Sequence, residues 1–242
     1  MEGPSVKVIA EKLSGLMRNK IILNAWGNSK KIDFEELIDK KINEIFSYGK
    51  NLFFNIENVG YIKIHFLMYG SYSIDELRKE KNKVRLALET EHKAYFYNCS
   101  VTKLVKIENP TVKDILDDEW NINEIMSLIK NKKGIISDIL LDQNIFPGVG
   151  NIIKTEALYL AGIHPASKIE NIDYEKLLEL LRKLREFSIL FYKIRKENKG
   201  LKDYLKIYAK KSCIICNNKI NRLRIGERNR ISYFCTKCQK LY

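Results

Sequence analysis

The sequence has no long uninterrupted run of apolar residues, and this sets the first limits on the protein. A membrane-spanning helix needs about 20 mostly apolar residues, and the runs here are far shorter. Near the start, Lys7, Glu11 and Lys12 interrupt the apolar stretch that a secretory signal peptide would need. We therefore expect an intracellular, cytoplasmic protein with no membrane partner, nucleoid-associated in a bacterium or nuclear in a eukaryote. We also expect it to be a monomer.

Acidic residues are few relative to basic ones. The 242 residues include 43 Lys and Arg but only 30 Asp and Glu, which gives a formal net charge of +13. This excess predicts a polyanionic partner, either nucleic acid or an anionic membrane face; a lysine-rich surface without such a partner is the alternative. Hydrophobic residues make up 45% of the chain, so we expect folded cores and do not expect extensive disorder.

Cysteine is also scarce, yet four of the five cysteines form two CxxC pairs near the end of the sequence. Thiols inside cells are normally reduced, so paired cysteines indicate a metal before disulfides. Two CxxC pairs at this spacing supply four thiolates for tetrahedral zinc. Because four protein ligands leave no open position for water, we expect one structural zinc ion and no catalytic metal. The fifth cysteine, Cys99, is predicted to be buried without a role. The predicted ligands are Cys213, Cys216, Cys235 and Cys238.

The first half predicts a helix followed by β-structure. Ser5 is a plausible N-cap for a helix with Val6, Ile9, Leu13 and Leu16 on one face. Alternating apolar residues at 52–56 and 62–66 flank a turn at 58–60, which predicts a hairpin, and β-type runs continue to about residue 107. A β-sandwich or barrel is the natural interpretation.

Two turns in this region carry candidate site residues. Gly49 permits a bend from which Lys50 projects, although a lone lysine at such a place is usually only solvated. Leu67, Met68 and Tyr69 cluster where a strand gives way to a turn. They are either ordinary core residues or a wedge that fills the gap left by a base pulled out of a duplex.

The second half predicts helices and two candidate phosphate contacts. Helices are expected at 122–129, 135–141 and 152–161, and a longer one capped by Asp173 and packed through Leu177, Leu181, Leu184 and Phe191. The turn at 148–150 exposes backbone amides before a helix, a ready phosphate site to which Asn151 adds a side-chain donor; a plain helix connection is the alternative. Arginines that include Arg230 lie between the cysteine pairs with one acidic residue, which suits phosphate contact. The predicted domains are 1–110, 111–200 and 201–242.

The ordered set of motifs resembles the formamidopyrimidine-DNA glycosylase and endonuclease VIII family, and it is closer to the endonuclease VIII branch. Each motif alone is modest, but their order along nearly the whole chain is specific. The matching motifs are Glu2-Gly3-Pro4, Gly49-Lys50, residues 65–70, Leu141-Asp142-Gln143, residues 147–151, Glu156-Ala157-Leu158, residues 161–165 and the four-cysteine hairpin through residues 234–239.

This resemblance implies an α+β fold of two lobes, with DNA bound in the cleft between them. The first lobe would be a β-sandwich with a flanking helix, and the second a helix–two-turn–helix domain ending in a zinc-finger hairpin. It also implies a base-excision-repair DNA glycosylase with abasic-site lyase activity, in which the N-terminal amine attacks C1′ of a damaged nucleotide, forms a Schiff base and cleaves the strand by elimination. By position, Glu2 would protonate the sugar-ring oxygen, and Lys50, Asn151 and Arg230 would hold the DNA phosphates.

Several features depart from the family pattern or refine it. Met1 stands where the family exposes a proline, so the predicted nucleophile is a primary α-amine. Its reference pKa of about 7.7–8.0 leaves part of it in the neutral, nucleophilic form near neutral pH. Glu2-Gly3-Pro4 and the bulky residues 67–69 resemble the endonuclease VIII branch, and the connection at 200–213 is short. Both points favour oxidised pyrimidines over 8-oxoguanine as substrates. Asn229 occupies the place of a frequent glycine, while Arg230 is expected to keep its role. The alternatives are a catalytically silent lesion-binding protein and a zinc-ribbon protein that binds RNA or the ribosome.

Overall fold

The computed structural model describes residues 1–108 and 110–242. The chain forms two compact units, one comprising Met1 with Gly3–Pro110 and the other Glu2 with Thr111–Tyr242. Within the residues described, no helix combines the length and apolar character required to cross a membrane. The two units are described one at a time, and the predicted third domain at 201–242 stays a prediction.

The first unit is a β-sandwich with one flanking helix. In its described part, the strands form two four-stranded antiparallel sheets, with strand orders β1-β6-β7-β5 and β2-β3-β4-β8. The elements are α1 (Gly3–Met17), β1 (Asn24–Trp26), β2 (Ile42–Tyr48), β3 (Asn51–Ile56), β4 (Gly60–His65), β5 (Ser71–Ile74), β6 (Val84–Glu89), β7 (Lys93–Tyr97) and β8 (Ser100–Leu104).

Alternation along the strands builds the core of this unit. Successive side chains of a strand point to opposite faces, so every second residue turns inward. Phe54 and Ile62 of one sheet pack in the same buried cluster as Leu86 and Phe96 of the other. The apolar stripe of α1, which includes Val6, closes the cluster. The predicted sandwich and its flanking helix are confirmed.

The start of α1 differs from the sequence prediction. The helix begins at Gly3, so Ser5 lies inside the first turn and is not the N-cap. Proline is well suited to a first turn, because its missing N–H would have no helical partner there. Pro4 therefore allows the helix to begin earlier than the position of Ser5 suggested.

The predicted turns of the first unit are present. Gly49 (φ 60°) and Lys50 form the two-residue link between β2 and β3, where Tyr48 pairs with Asn51. Asn58 (φ 58°) lies in the turn between β3 and β4. Both positive φ values lie in the left-handed region, which glycine and asparagine adopt at least cost.

The second unit is helical and ends in a hairpin. Its elements are α2 (Ile122–Ile129), α3 (Ile136–Ile139), α4 (Asn151–Leu160), α5 (Tyr174–Lys196), β9 (Asn221–Ile225) and β10 (Arg230–Phe234). The predicted inner face of α5 is buried in the core, and α3 is shorter than expected. Asp173 occupies the N-cap position of α5, but its side chain makes no capping hydrogen bond. Asn229 has φ 51°, so it adopts the left-handed turn conformation that the family's glycine would favour.

Candidate functional site

In the first unit, the terminal amine is held at the turn that follows β4. The α-amino group of Met1 donates a hydrogen bond to the carbonyl oxygen of Leu67, with an N···O distance of 3.1 Å. The amide of Leu67 in turn donates to Nδ1 of His65 at 3.1 Å. The amine and the exposed turn therefore share one anchor, the backbone of Leu67.

Positive charge is concentrated around this amine. Burial lowers the pKa of His65, and the positive charges of the N-terminus, Lys50 and Lys63 lower it further. A cluster of cations of this kind attracts a polyanion such as a DNA backbone. His65 was not among the predicted site residues, because a single histidine at a strand end gives no signal beyond its place in the motif at 65–70.

The wedge residues lie on the surface. The relative exposures of Leu67, Met68 and Tyr69 are 53%, 62% and 78%. Gly70 closes the turn with a 2.7 Å hydrogen bond from its amide to the carbonyl of Phe66, and a side chain at residue 70 would collide with that carbonyl. The core interpretation of these three residues is therefore wrong, and they form an exposed apolar projection.

In the second unit, Glu2 is bound to the N-terminus of α4. Its Oε1 accepts a hydrogen bond from the amide of Ile152 at 2.6 Å, and its Oε2 accepts one from the amide of Ile153 at 3.2 Å. The first amides of a helix have no helical partner and favour negative charge. Gly150 makes room for this contact, since an added Cβ would lie 2.6 Å from Oε1 of Glu2 and closer still to its Cγ and Cδ.

This contact corrects one sequence prediction. The amides after the turn at 148–150 were expected to bind a DNA phosphate, but two of them bind the Glu2 carboxylate. The anion at this helix end is part of the chain itself. Nothing in the sequence indicates this pairing, because 150 residues separate the two partners.

Gln143 shapes the turn that precedes α4. Its Oε1 accepts from the amide of Gly148 at 3.3 Å, and its Nε2 donates to the carbonyl of Val149 at 3.0 Å. Gly148 has φ 95°, a conformation that side-chain-bearing residues rarely adopt. These bonds explain why the two motifs at 141–143 and 147–151 occur together.

Asn151 contacts the hairpin at the residue that follows Arg230. The side-chain amide of Asn151 donates to the carbonyl of Ile231, next to Arg230, at 2.8 Å. Arg230 is exposed at the start of β10. Tyr208, which the sequence did not identify, joins them: burial raises its pKa, and a hydrogen bond with the Asn151 side chain opposes that effect. Its ring packs on Tyr233 with centroids 4.9 Å apart.

Other residues of α4 contact the segment before the cysteine pairs and the first cysteine. The Glu156 carboxylate accepts from the amides of Lys206, Ile207 and Tyr208 at 2.9, 3.1 and 2.8 Å. The hydroxyl of Tyr159 lies 3.1 Å from Sγ of Cys213. One short helix thus positions both the hairpin and the segment that leads to it.

The four predicted metal ligands lie together. Their Sγ atoms are all within 4.8 Å of one another, and the Cys213–Cys238 and Cys216–Cys235 pairs are 3.7 and 3.4 Å apart. Zn–S bonds of about 2.3 Å in a tetrahedron place sulfurs roughly 3.8 Å apart, whereas a disulfide needs about 2.05 Å. The donors therefore fit one tetrahedral metal ion and not a disulfide. Cys99 is buried as predicted, and burial raises the pKa of its thiol to about 12.

Two family models match most of the chain. The formamidopyrimidine-DNA glycosylase N-terminal domain matches residues 1–100, and the formamidopyrimidine-DNA glycosylase H2TH domain matches residues 112–204. Endonuclease 8-like 3 of Homo sapiens is 37% identical over 190 residues, which cover 74% of this chain and 31% of that protein. The chain thus spans about a third of the length of this curated relative.

Solved structures share the fold across both units. A crystal structure of a viral DNA glycosylase superimposes with a TM-score of 0.84 at 26% identity, covering 99% of this chain and 100% of that one. The Lactococcus lactis Fpg in complex with DNA containing an abasic site gives a TM-score of 0.86 at 20% identity, with the same coverage.

Together, the β-sandwich, the H2TH helices and the four-cysteine hairpin define a DNA-glycosylase scaffold. The chain belongs to the formamidopyrimidine-DNA glycosylase and endonuclease VIII family of DNA-repair proteins. The predicted fold class and family are therefore confirmed.

Proposed function

We propose that this chain is a base-excision-repair DNA glycosylase with abasic-site lyase activity, which removes oxidised bases, chiefly pyrimidines. The observation that carries the proposal is the anchoring of the first two residues. The Met1 amine is bound to the Leu67 carbonyl, and the Glu2 carboxylate is bound to two amides of α4. A nucleophile and an acid–base group held by the backbone are what a displacement at a sugar carbon requires.

The reaction uses these two groups in sequence. The neutral Met1 amine forms a bond to C1′ of the damaged nucleotide as the bond to the base breaks, and the base leaves with the bonding electrons and takes a proton from water. The Glu2 carboxylate takes one proton from the nitrogen, which became positively charged on attack, and gives it to the ring oxygen as the bond from that oxygen to C1′ breaks. The nitrogen lone pair forms the double bond to C1′, which leaves a protonated Schiff base. Loss of a proton from C2′ then expels the 3′ phosphate and cuts the strand. A primary amine supports each of these steps, as the family's secondary amine does.

Damaged DNA is the proposed partner. Lys50 lies in the cation cluster of the first unit, and Asn151, Tyr208 and Arg230 lie together in the second, so each set can bind backbone phosphates. The exposed residues Leu67, Met68 and Tyr69 would fill the space vacated by the flipped nucleotide.

The metal of the four-cysteine site is proposed to be one structural zinc ion. Cys213, Cys216, Cys235 and Cys238 would hold it as thiolates, and it would supply folding energy to the hairpin that carries Arg230. No step of the reaction passes through the metal.

Borohydride trapping tests the proposal. The protein is incubated with an oligonucleotide carrying an abasic site or thymine glycol, reduced, and digested for mass spectrometry. We expect a covalent adduct on the α-amine of Met1, and none after that amine is acetylated. An adduct on Lys50 would show that the protein is a lyase whose nucleophile is Lys50 and not the Met1 amine. Tight binding of the abasic duplex without any adduct would instead identify a catalytically silent lesion-binding protein.

A further inference from the structure

Lys154 is a buried cation that the proposed chemistry does not use. It lies on α4, its relative exposure is 0%, and its ammonium group donates to the hydroxyl of Ser232 at 2.9 Å. A buried charge is costly unless the fold gives it polar partners. A leucine or methionine would fill the same helical position at lower cost, so the lysine needs a specific explanation.

Two of the charged groups around Lys154, Glu2 and Arg230, belong to the candidate site. Burial lowers its pKa to about 8; Asp138 and Glu2 oppose this shift, whereas Arg230 adds to it. Asp138 is itself engaged, since its carboxylate accepts from the amides of Glu227 at 2.8 Å and Arg228 at 3.2 Å. Lys154 therefore lies in the electrostatic field of the groups that hold the hairpin and α4.

Side chains of the helical region hold the hairpin on both sides of Arg230. Asp138 binds the turn before it, Asn151 binds the carbonyl of Ile231, and Lys154 binds Ser232. Residues two apart on a strand share a face, so Arg230 and Ser232 point to the same side of β10. Ser232 is 1% exposed and Arg230 is exposed, so fixing the serine also fixes the direction in which the arginine leaves the strand.

We propose that Lys154 is a positioning residue for phosphate binding, which acts through Ser232 and β10 to hold Arg230 at the DNA backbone. The inference rests on the proposed function, because it requires that Arg230 binds a phosphate. A lysine that served only to fill the core would leave the salt dependence of DNA binding unchanged.

The test measures binding of a fluorescent duplex with a tetrahydrofuran abasic analogue as a function of salt, using the zinc-loaded full chain. Lys154→Met and Arg230→Ala should each weaken binding about tenfold. Each should also make the negative slope of the logarithm of the association constant against the logarithm of salt concentration shallower by about 0.9, the change expected for one lost phosphate contact. The double variant should be no weaker than Arg230→Ala, because both changes remove the same contact. Lys154→Arg should recover part of the loss.

Ser232→Ala is the second variant, in case Lys154→Met does not fold. It leaves the lysine in place, and it should weaken DNA binding and make the salt dependence shallower, as Lys154→Met does. Multiplicative losses in the double variant, or wild-type slopes for both Lys154→Met and Ser232→Ala, would overturn the positioning role alone. A wild-type protein that binds the abasic and undamaged duplexes equally would overturn the proposed function and, with it, this inference.

Discussion

Replacing Gly150 by alanine tests the anchoring of Glu2 without altering any reacting group. The added Cβ would occupy space now taken by the Glu2 side chain, 2.6 Å from its Oε1. The backbone at Gly150 is extended (φ −120°, ψ −167°), so alanine can adopt it without strain. The substitution should therefore push the carboxylate off the amides of Ile152 and Ile153 while the turn itself is kept.

The two hydrogen bonds set the size of the effect. Hydrogen bonds to a charged group contribute about 1.5–3 kcal/mol each, so losing both costs about 3–6 kcal/mol. If the whole loss falls on the reaction barrier, each 1.36 kcal/mol is a factor of ten, and the rate falls by about 10²- to 10⁴-fold. Part of the loss would appear instead as lower stability, because an anion also stabilises the helix N-terminus.

The assay is single-turnover cleavage of a duplex containing an abasic site, resolved on a denaturing gel, with thermal unfolding measured alongside. Gly15→Ala is the matched control, because nothing lies within 4 Å of the added Cβ on the exposed side of α1. It should leave the rate unchanged and raise stability by about 1 kcal/mol, the difference in helix propensity.

A folded Gly150→Ala protein that cleaves within about threefold of the wild-type rate would refute the reasoning, since threefold corresponds to less than one such hydrogen bond. If the variant does not fold, Glu2→Asp replaces it, because the side chain is one methylene shorter and reaches the two amides less well but keeps the carboxyl group. The same threefold limit then applies to Glu2→Asp.

Three further predictions follow from burial and charge. The pKa of Lys154 falls from 10.5 to about 8 on folding, so the unfolded chain binds this proton more tightly. The free energy of unfolding should therefore rise between about pH 8 and 10.5. Urea unfolding at several pH values should show this rise for the wild-type protein and not for Lys154→Met. Chelation should expose four thiols to a thiol reagent and weaken DNA binding, while Cys99, whose pKa burial raises to about 12, stays unreactive until the protein unfolds. Tyr69→Ala should change stability by less than about 0.5 kcal/mol in thermal melts, yet weaken binding of the abasic duplex, because its ring is 78% exposed.

Periodic and local features were predictable from the sequence. Alternation gave the strands around Phe54 and Phe96, and positive-φ turns were correctly placed at Gly49 and Asn58. The cysteine spacing gave the clustered thiols. These signals depend on residues close together in the chain, where side-chain direction follows from the backbone period.

Contacts between distant residues could not be predicted in this way. Nothing local shows that Glu2 binds α4 or that Tyr208 lies beside Asn151. Lys154 has the pattern of an ordinary charged helix residue, and its complete burial depends on the hairpin that packs over it. Ser5 failed as an N-cap because tertiary context and Pro4 allowed an earlier start.

The short helix α4 constrains how this protein can change over generations. Asn151 and Lys154 face the hairpin, Glu156 faces the segment before it, Tyr159 faces a cysteine, and the amides at 152–153 face Glu2. Each residue of a helix advances the chain by about 100° around the axis, so inserting or deleting one residue would turn every later contact to a wrong direction. We therefore expect insertions and deletions to be tolerated in the surrounding loops and not in α4, which has ten residues.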